Sequence, residues 1–387
     1  MPPLRPIDLK SQPAPYQVRY KVIQKIHAVL KKSSASRLSN CDRKAVELEG
    51  EVAKKSSSGQ SYRFNASVLL RDLSRPNGRS TKANGKINEA SGTLLKTQVL
   101  EKLTAVLLPV EKLLENGYFL TTTLEVDSDD DAKGGVHKVC IRCNTKFRKD
   151  QIMKPTTCRY HIQKRRYNRN TKVAEYPCCG ETTSSSSLLG LGCKTMSHHV
   201  FRPETFQEMS QISRFMTTDL IEGESNVLAL DCEMAFTSMG YELIRLTIVD
   251  FFTSKVLFDE IVQPFGEIVD LNTEFSGVHL IEKNKSLSFE ETMTRVLSKN
   301  LINRNSILIG HGMENDLNVL RIVHRRIIDT AVLYPHGKFK SSLKNLAFET
   351  ISRRIQSGEH DSSEDAIATM DVLKFKLGIP INQKTWN

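Results

Sequence analysis

Residues 226–236 read NVLALDCEMAF. An apolar run, Val227 to Leu230, ends in an aspartate, a glutamate follows two positions later, and the apolar pattern then resumes. A short apolar run of this kind predicts a buried strand. Alternation along a strand sends Asp231 and Glu233 to one face and Cys232 to the other. Unpaired buried carboxylates cost several kcal/mol or neutralise themselves through a shifted pKa. Two on one face repel each other unless a cation lies between them, and hard divalent ions such as Mg2+ or Mn2+ take oxygen ligands. The thiol of Cys232, on the opposite face, reads as core rather than as a nucleophile.

Two further segments bring more carboxylates. Ser306-Ile-Leu-Ile-Gly310 predicts a strand, and the following HGMENDLNVLR predicts a glycine turn and a helix bearing Asp316. The segment EHDSSEDAIATMDVLKFKL predicts a helix with Ser362 at its N-cap, Asp365 in its first turn and His360 on the loop before it. From Asn226 onward strand-like and helix-like patterns alternate, as an α/β domain requires.

Taken in order on these elements, Asp231-x-Glu233, Asp316 and His360-x4-Asp365 resemble the three motifs of the DEDDh 3′-to-5′ exonucleases. The resemblance covers roughly Asn226 to Ile379 and includes LNTEFSGV at 271–278, Ile328-Asp329-Thr330 and SLKNLA at 342–347. The tyrosine variant of the family would carry Tyr where this chain has Asp361, so the histidine variant fits. DCEM points to the RNA exonuclease branch. The resemblance implies a ribonuclease-H-like α/β fold: a mixed five-stranded sheet with flanking helices, the carboxylates at one edge of strands one and four. It implies that Asp231, Glu233, Asp316 and Asp365 hold two Mg2+ or Mn2+ ions, Asp231 between them, and that the reaction is two-metal phosphodiester hydrolysis releasing 5′-mononucleotides. His360 would be the general base, a role its near-neutral pKa suits. Glu233 and Met234 would contact the terminal nucleotide, with Ser276, Gly277 and Val278 lining its pocket.

Six of the eight cysteines fall between positions 140 and 193. They read Cys140-x2-Cys143, Cys158-x2-His161, Cys178-Cys179 and Cys193, followed by His198 and His199. Soft thiolates and imidazoles at paired spacings favour tetrahedral zinc, and eight ligands suffice for two Cys3His sites. Grouping in sequence order is simplest but makes neighbours Cys178 and Cys179 share one ion, so an interleaved grouping stays open. Spacing does not separate His198 from His199, and His137 is a spare. The basic run Lys164-Arg165-Arg166-Tyr167-Asn168-Arg169 either follows a phosphate backbone or is a solvated loop. The block is similar to the one that precedes the nuclease domain in Rex-type RNA exonucleases, with its CRYH, YPCCG and GCKTMSHHV.

The chain has 387 residues, enough for two or three domains, and a net charge of +11, which favours an anionic partner. No apolar run approaches a membrane span and the start lacks a secretory signal, so no membrane partner is expected. The expected organisation is a disordered stretch at 1–15, a helical domain at 16–124, an acidic linker at 125–135, a zinc-binding domain at 136–200, a helical connector at 201–225 and the exonuclease domain at 226–380. Within the helical domain the patterns predict helices at about 16–32, 42–55, 65–73 and 94–117, the last broken at Pro109. The resemblance implies single-stranded 3′ ends of structured RNAs as substrates (small nuclear RNA, RNase MRP RNA, ribosomal RNA precursors), ribonucleoprotein partners through the N-terminal and zinc domains, and action in nucleus and cytoplasm. Three alternatives stand beside it: an RNA-binding module on an inactive nuclease fold, a zinc-dependent adaptor, and a DNA exonuclease.

Overall fold

The computed structural model describes residues 4–9, 12–33, 41–54, 62, 66, 69–70, 93–123, 136–168, 172–182, 192–356, 361–383 and 385–386. The acidic linker, His360 and most of the expected helix at 65–73 lie outside them. The chain forms two compact units, Met1–Asn88 and Glu89–Asn387.

In the first unit, helices α1 (Tyr16–Ser33) and α2 (Cys41–Lys54) bury Ile23, Ile26 and Leu30 against Ala45, on the face that the periodicity assigns. The core also holds a charge pair: Arg19, 1% exposed, donates from Nε and Nη2 to Glu49 at 2.7 and 2.9 Å, and Tyr62 donates to the same carboxylate at 2.7 Å. The expected disorder at 1–15 is corrected for the described part. Leu4 and Leu9 pack on this core, Ala14 is buried, and the Ile7 carbonyl accepts from Arg19 at 2.9 Å.

The second unit begins earlier than the expected exonuclease domain. Helices α3 (Lys96–Thr104) and α4 (Val110–Glu115) do form on either side of Pro109, but they belong to the sheet of the second unit, not to the N-terminal helices. Their apolar faces decide it. Val99 and Leu103 pack with Val227 and Ala229 on one sheet face, while Leu108, Leu113 and Tyr118 join Leu228 and Leu230 on the other.

The cysteine block, as described, is built of short strands. β1 (His137–Val139) pairs with β2 (Lys146–Arg148), β3 (Cys158–Tyr160) with β7 (Lys194–Met196), and β4 (Arg166–Asn168), β5 (Val173–Tyr176) and β6 (Glu181–Thr182) form a three-stranded sheet. The expected helical connector at 201–225 is mostly not helical: it holds one five-residue helix, Phe206–Ser210, and the two-residue strand β8 (Met216–Thr217). Its aromatic residues, Phe206 and Phe215, form a small separate core with Val323 and so override helical spacing.

The central sheet comprises β9 (Val227–Thr237), β10 (Gly240–Asp250), β11 (Val256–Ile261), β12 (Ile268–Asp270), β13 (Ile307–Gly310) and, after the two-residue β14 (Ile322–Val323) that pairs with β8, β15 (Ile327–Asp329). The order is β11-β10-β9-β13-β15, antiparallel on the β11 side and parallel on the other. The five-stranded path is as expected. The sixth strand, β12, pairs with the last residues of β9 and was not foreseen, because three residues carry too little pattern. Helices α5 (Phe289–Val296), α6 (Glu314–Leu320), α7 (Leu343–Ile351) and α8 (Ser362–Lys376) flank the sheet. On β9 the alternation holds: Leu228, Leu230, Cys232 and Met234 enter one core, and Val227 and Ala229 enter the other beside Ala366, Met370 and Leu373 of α8.

Candidate functional site

Asp231 and Glu233 continue the Val227–Ala229 face of β9, the face that α8 covers. Asp316 comes from the first turns of α6, which follows β13, the parallel neighbour of β9. Asp365 stands in the first turn of α8. Glu233, Asp316 and Asp365 are buried and Asp231 is half-buried. Three of the four carboxylates have a hydrogen-bond donor of their own. The backbone N–H of Cys232 donates to Asp316 at 3.0 Å, the Ser362 hydroxyl to Glu233 at 2.8 Å, and the Gln356 amide to Asp365 at 2.7 Å.

Electrostatics sets this cluster apart. Burial, then the charges of Asp316, Glu233 and Asp365, push Asp231 well above the usual carboxylate range. Burial likewise raises Asp316, raises Glu233 to about 8 against the Ser362 hydrogen bond, and raises Asp365 to about 6 against that of Gln356. Arg245 faces Glu233 across the β9–β10 ladder, but its guanidinium is engaged by Asp259 through two hydrogen bonds of 2.8 Å. Among the described residues no ion pair reaches Asp231, Glu233 or Asp316. A largely buried, oxygen-only donor set of four carboxyl groups suits hard divalent cations.

The roles of several supporting residues were not legible in the sequence. Ser362 does not cap α8: Asp361 does, accepting from the Ser363 N–H at 3.0 Å, which frees the Ser362 hydroxyl for Glu233. Gln356 sits at a left-handed φ of 52° in a loop without a motif. Asp329, fully buried, accepts from the N–H groups of Gly312 and Met313 at 2.8 and 3.2 Å, and from Tyr118 at 2.7 Å; it anchors the turn that aims α6. Tyr118 lies 211 residues away, so no local pattern could have joined the two.

The expected pocket residues are placed unevenly. Met234 directs its side chain into the core on the face away from Glu233. The Ser276 hydroxyl, buried, donates to the Leu271 carbonyl at 2.8 Å, Gly277 turns the chain at φ 62°, and Val278 packs with Ala235 beside the carboxylate face.

The cysteine block brings its ligands into two groups whose ligand atoms lie within 4.8 Å of one another: Cys140, Cys143, Cys158 and His199, and His161, Cys178, Cys179 and Cys193. Sequence-order grouping is therefore corrected: the histidines are exchanged. The cause is the extended backbone of β3. An odd offset along it sends Cys158 and His161 to opposite sides, whereas Cys140-x2-Cys143 folds as a turn closed by the Asn144 N–H on the Cys140 carbonyl at 2.8 Å. Cys178 and Cys179 do share a group, because they sit in a turn where the N–H groups of Cys179 and Gly180 both reach the Tyr176 carbonyl. His199, not His198, joins the first group: its Nδ1 lies 3.3 Å from Cys143 Sγ, while His198 contacts Ser197. His137 is exposed and in neither group. In the first group the hydrogen bond between Cys140 and Cys158 draws the Cys140 thiol below the usual range and pushes that of Cys158 up.

Residues 4–110 match the family model for the REX3 N-terminal domain, and 138–194 that for the RNA exonuclease 3 middle domain. The chain is 53% identical to RNA exonuclease 3 of Saccharomyces cerevisiae over 99% of its own length and 98% of that protein's. It is 55% identical to RNA exonuclease 3 of Eremothecium gossypii, with 99% of each covered. Among solved structures, the Pan2 catalytic unit of Neurospora crassa (protease and nuclease domain) is 28% identical over 40% of this chain and 27% of that one, with a TM-score of 0.36.

Proposed function

The chain belongs to the RNA exonuclease 3 family, and from that membership together with the carboxylate cluster we propose that it is a 3′-to-5′ exoribonuclease with a ribonuclease-H-like catalytic domain. The observation that carries the reading is the gathering of Asp231, Glu233, Asp316 and Asp365 from a strand and two helices into one site, where burial and the neighbouring acids raise the pKa of Asp231.

These four residues would hold two Mg2+ or Mn2+ ions, which when bound stabilise negative charge at phosphorus and lower the pKa of water. Ser362 and Gln356 each hold one of these carboxylates, Glu233 and Asp365, by a hydrogen bond. Asp329 holds the glycine turn that starts α6 and thus the height of Asp316. His360, outside the described residues, is assigned as general base from the family resemblance of His360-x4-Asp365. With the Met234 side chain in the core, nucleotide contact from that position falls to its backbone, and the 276–278 segment forms the pocket wall. The two cysteine–histidine groups are assigned to structural zinc, the ion that three thiolates and one imidazole favour. The proposed substrates are the single-stranded 3′ ends of structured RNAs.

A 5′-labelled single-stranded RNA with Mn2+ tests the reading. A ladder shortening by one nucleotide from the 3′ end, absent without divalent ions and in Asp231→Ala, is expected. Intact RNA, with the protein folded and its zinc bound, would refute it and favour the RNA-binding module. His360→Ala should slow the reaction and flatten the acid limb of the pH–rate profile.

A further inference from the structure

Between the edge strand β15 and α7 the chain reads Pro335-His336-Gly337-Lys338-Phe339-Lys340-Ser341. It closes as a two-residue hairpin. The His336 N–H donates to the Phe339 carbonyl at 2.9 Å and the Phe339 N–H to that of His336 at 3.2 Å, with Gly337 supplying the left-handed corner at φ 63°. Residues 335–340 are all exposed, and Phe339 is 79% exposed. Among the described residues no ring and no cation lies against the Phe339 ring, and no carboxylate pairs with Lys338.

Single exposed aromatic residues are common on protein surfaces; what sets this one apart is where its turn is anchored. His311 Nε2 donates to the Ser341 carbonyl at 2.9 Å, and Lys340 Nζ donates to Glu314 at 2.7 Å. Glu314 shares the first turn of α6 with Asp316. His311 follows β13, in which Ile309 is level with Ala229; carried two residues on, the same parallel register meets Asp231, and neighbouring strands lie about 4.8 Å apart. On its other side the turn leads into α7, whose Lys344 donates to the Gln356 carbonyl at 2.8 Å, and the Gln356 amide holds Asp365. The turn is therefore a fixed projection at the rim of the carboxylate site. An aromatic ring has only two side-chain torsions, so on a closed turn it loses little freedom when a flat partner covers it.

We propose that the 335–341 turn is a nucleobase platform upstream of the cleavage site: the Phe339 ring stacks on a base of the RNA, and Lys338 beside it meets the phosphate of the same strand. The inference rests on the exoribonuclease reading. Stacking on an aromatic ring next to a cation that follows the backbone is how single strands are held without regard to sequence. The side of the strand follows from the layout of the site. The wall assigned to the terminal nucleotide, 276–278, lies past Glu233, where Val278 packs with Ala235. The turn is anchored at the Asp231 and Asp316 end. With its last nucleotide on that wall and its scissile phosphate on the acids, the strand leads its preceding nucleotides toward Phe339. A strand whose bases there are unpaired can stack, so the turn selects for a single-stranded run just ahead of the 3′ end.

Full-length zinc-loaded protein, Phe339→Ala, Phe339→Tyr and Lys338→Gln are compared on an oligouridylate of about a dozen nucleotides and on the same strand with one abasic nucleotide placed second, third or fourth from the 3′ end. Phe339→Ala is expected to raise KM for the complete strand about tenfold while kcat holds, and Phe339→Tyr to restore it. At one abasic position the wild type should fall to the level of Phe339→Ala, and the variant should lose nothing further. Lys338→Gln should make the salt dependence of KM shallower by about 0.7 in the log–log slope. A wild-type KM in Phe339→Ala, or a loss of the same size on all the abasic strands, would overturn the proposal. Should the wild type hydrolyse no RNA, the exoribonuclease reading fails, and fluorescence anisotropy of the labelled oligouridylate without Mg2+ or Mn2+ decides the platform. Binding about tenfold weaker in Phe339→Ala and restored in Phe339→Tyr would support it; wild-type affinity in Phe339→Ala would overturn it.

Discussion

Replacing Asp365 with Asn should make the protein more stable when Mg2+ and Mn2+ are withheld. The carboxyl is 3% exposed, and burial raises its pKa from 3.8 to about 6 even though Gln356 donates to it. At about 1.4 kcal/mol per pH unit, the folded state bears a cost of about 3 kcal/mol once the group is ionised in both states. A carboxyl whose folded pKa is raised contributes no cost below pH 3.8; the cost grows as pH rises from there to 6 and is complete above. An amide has no charge to bury and can still accept from Gln356 through its oxygen. After its own desolvation, the expected net gain at pH 7.5 is about 1–3 kcal/mol, or roughly 2–10 °C in melting temperature. At pH 4.5 the electrostatic part falls to about 1 kcal/mol. Calorimetry of zinc-loaded protein at the two pH values reads this directly. Added Mn2+ should then raise the melting temperature of the wild type more than that of the variant. A variant no more stable than wild type at pH 7.5, or a gain that ignores pH, would refute the idea that burial of this carboxylate carries a cost which a cation relieves.

Three further outcomes are expected. His199→Ala should lose about one zinc per chain by elemental analysis while His198→Ala keeps the full content; equal losses would reject the grouping. His324 is buried between Thr218 and the Ser306 carbonyl, and burial lowers its pKa from 6.5 to about 4. The unfolded chain therefore takes up a proton first, and stability should fall by about 3 kcal/mol as pH drops from 6.5 to 4, a limb that His324→Gln flattens in denaturation curves. Tyr118→Phe removes the phenol from Asp329 and should cost about 1–3 kcal/mol; turnover should fall with it, since Asp329 positions the start of α6, and unchanged turnover would separate that turn from Asp316.

The acids were legible because each belongs to a short element whose local period fixes its direction: two residues apart on a strand, or in the first turns of a helix. Assigning α3 and α4 failed for a related reason. Periodicity shows that Val99 and Leu103 share a face, but not which core receives it, and here it is the sheet rather than α1 and α2. The metal ligands were readable as residues but not as groups, since grouping depends on whether the backbone between Cys158 and His161 is a turn or a strand. Ser362 illustrates the finer limit. The run Asp361-Ser362-Ser363 offers two capping residues, and only the packing of α8 on β9 shows that the aspartate caps and the serine serves Glu233.

The exchanged histidines give the cysteine block the topology of one closed ring inside another. Cys143 and His199 stand 56 residues apart, whereas His161 and Cys178 are only 17 apart and lie wholly between them. An ion in the inner group closes a short loop that local diffusion brings together; an ion in the outer group must gather a long one, and closure entropy grows with loop length. Filling the inner group first shortens the effective chain that the outer one has to span. Where both groups hold ions, loop closure alone favours filling from the inside outward. His199 is followed directly by Val200, which packs with Phe236 of β9, so the group with the longer loop is the one that borders the join with the catalytic domain.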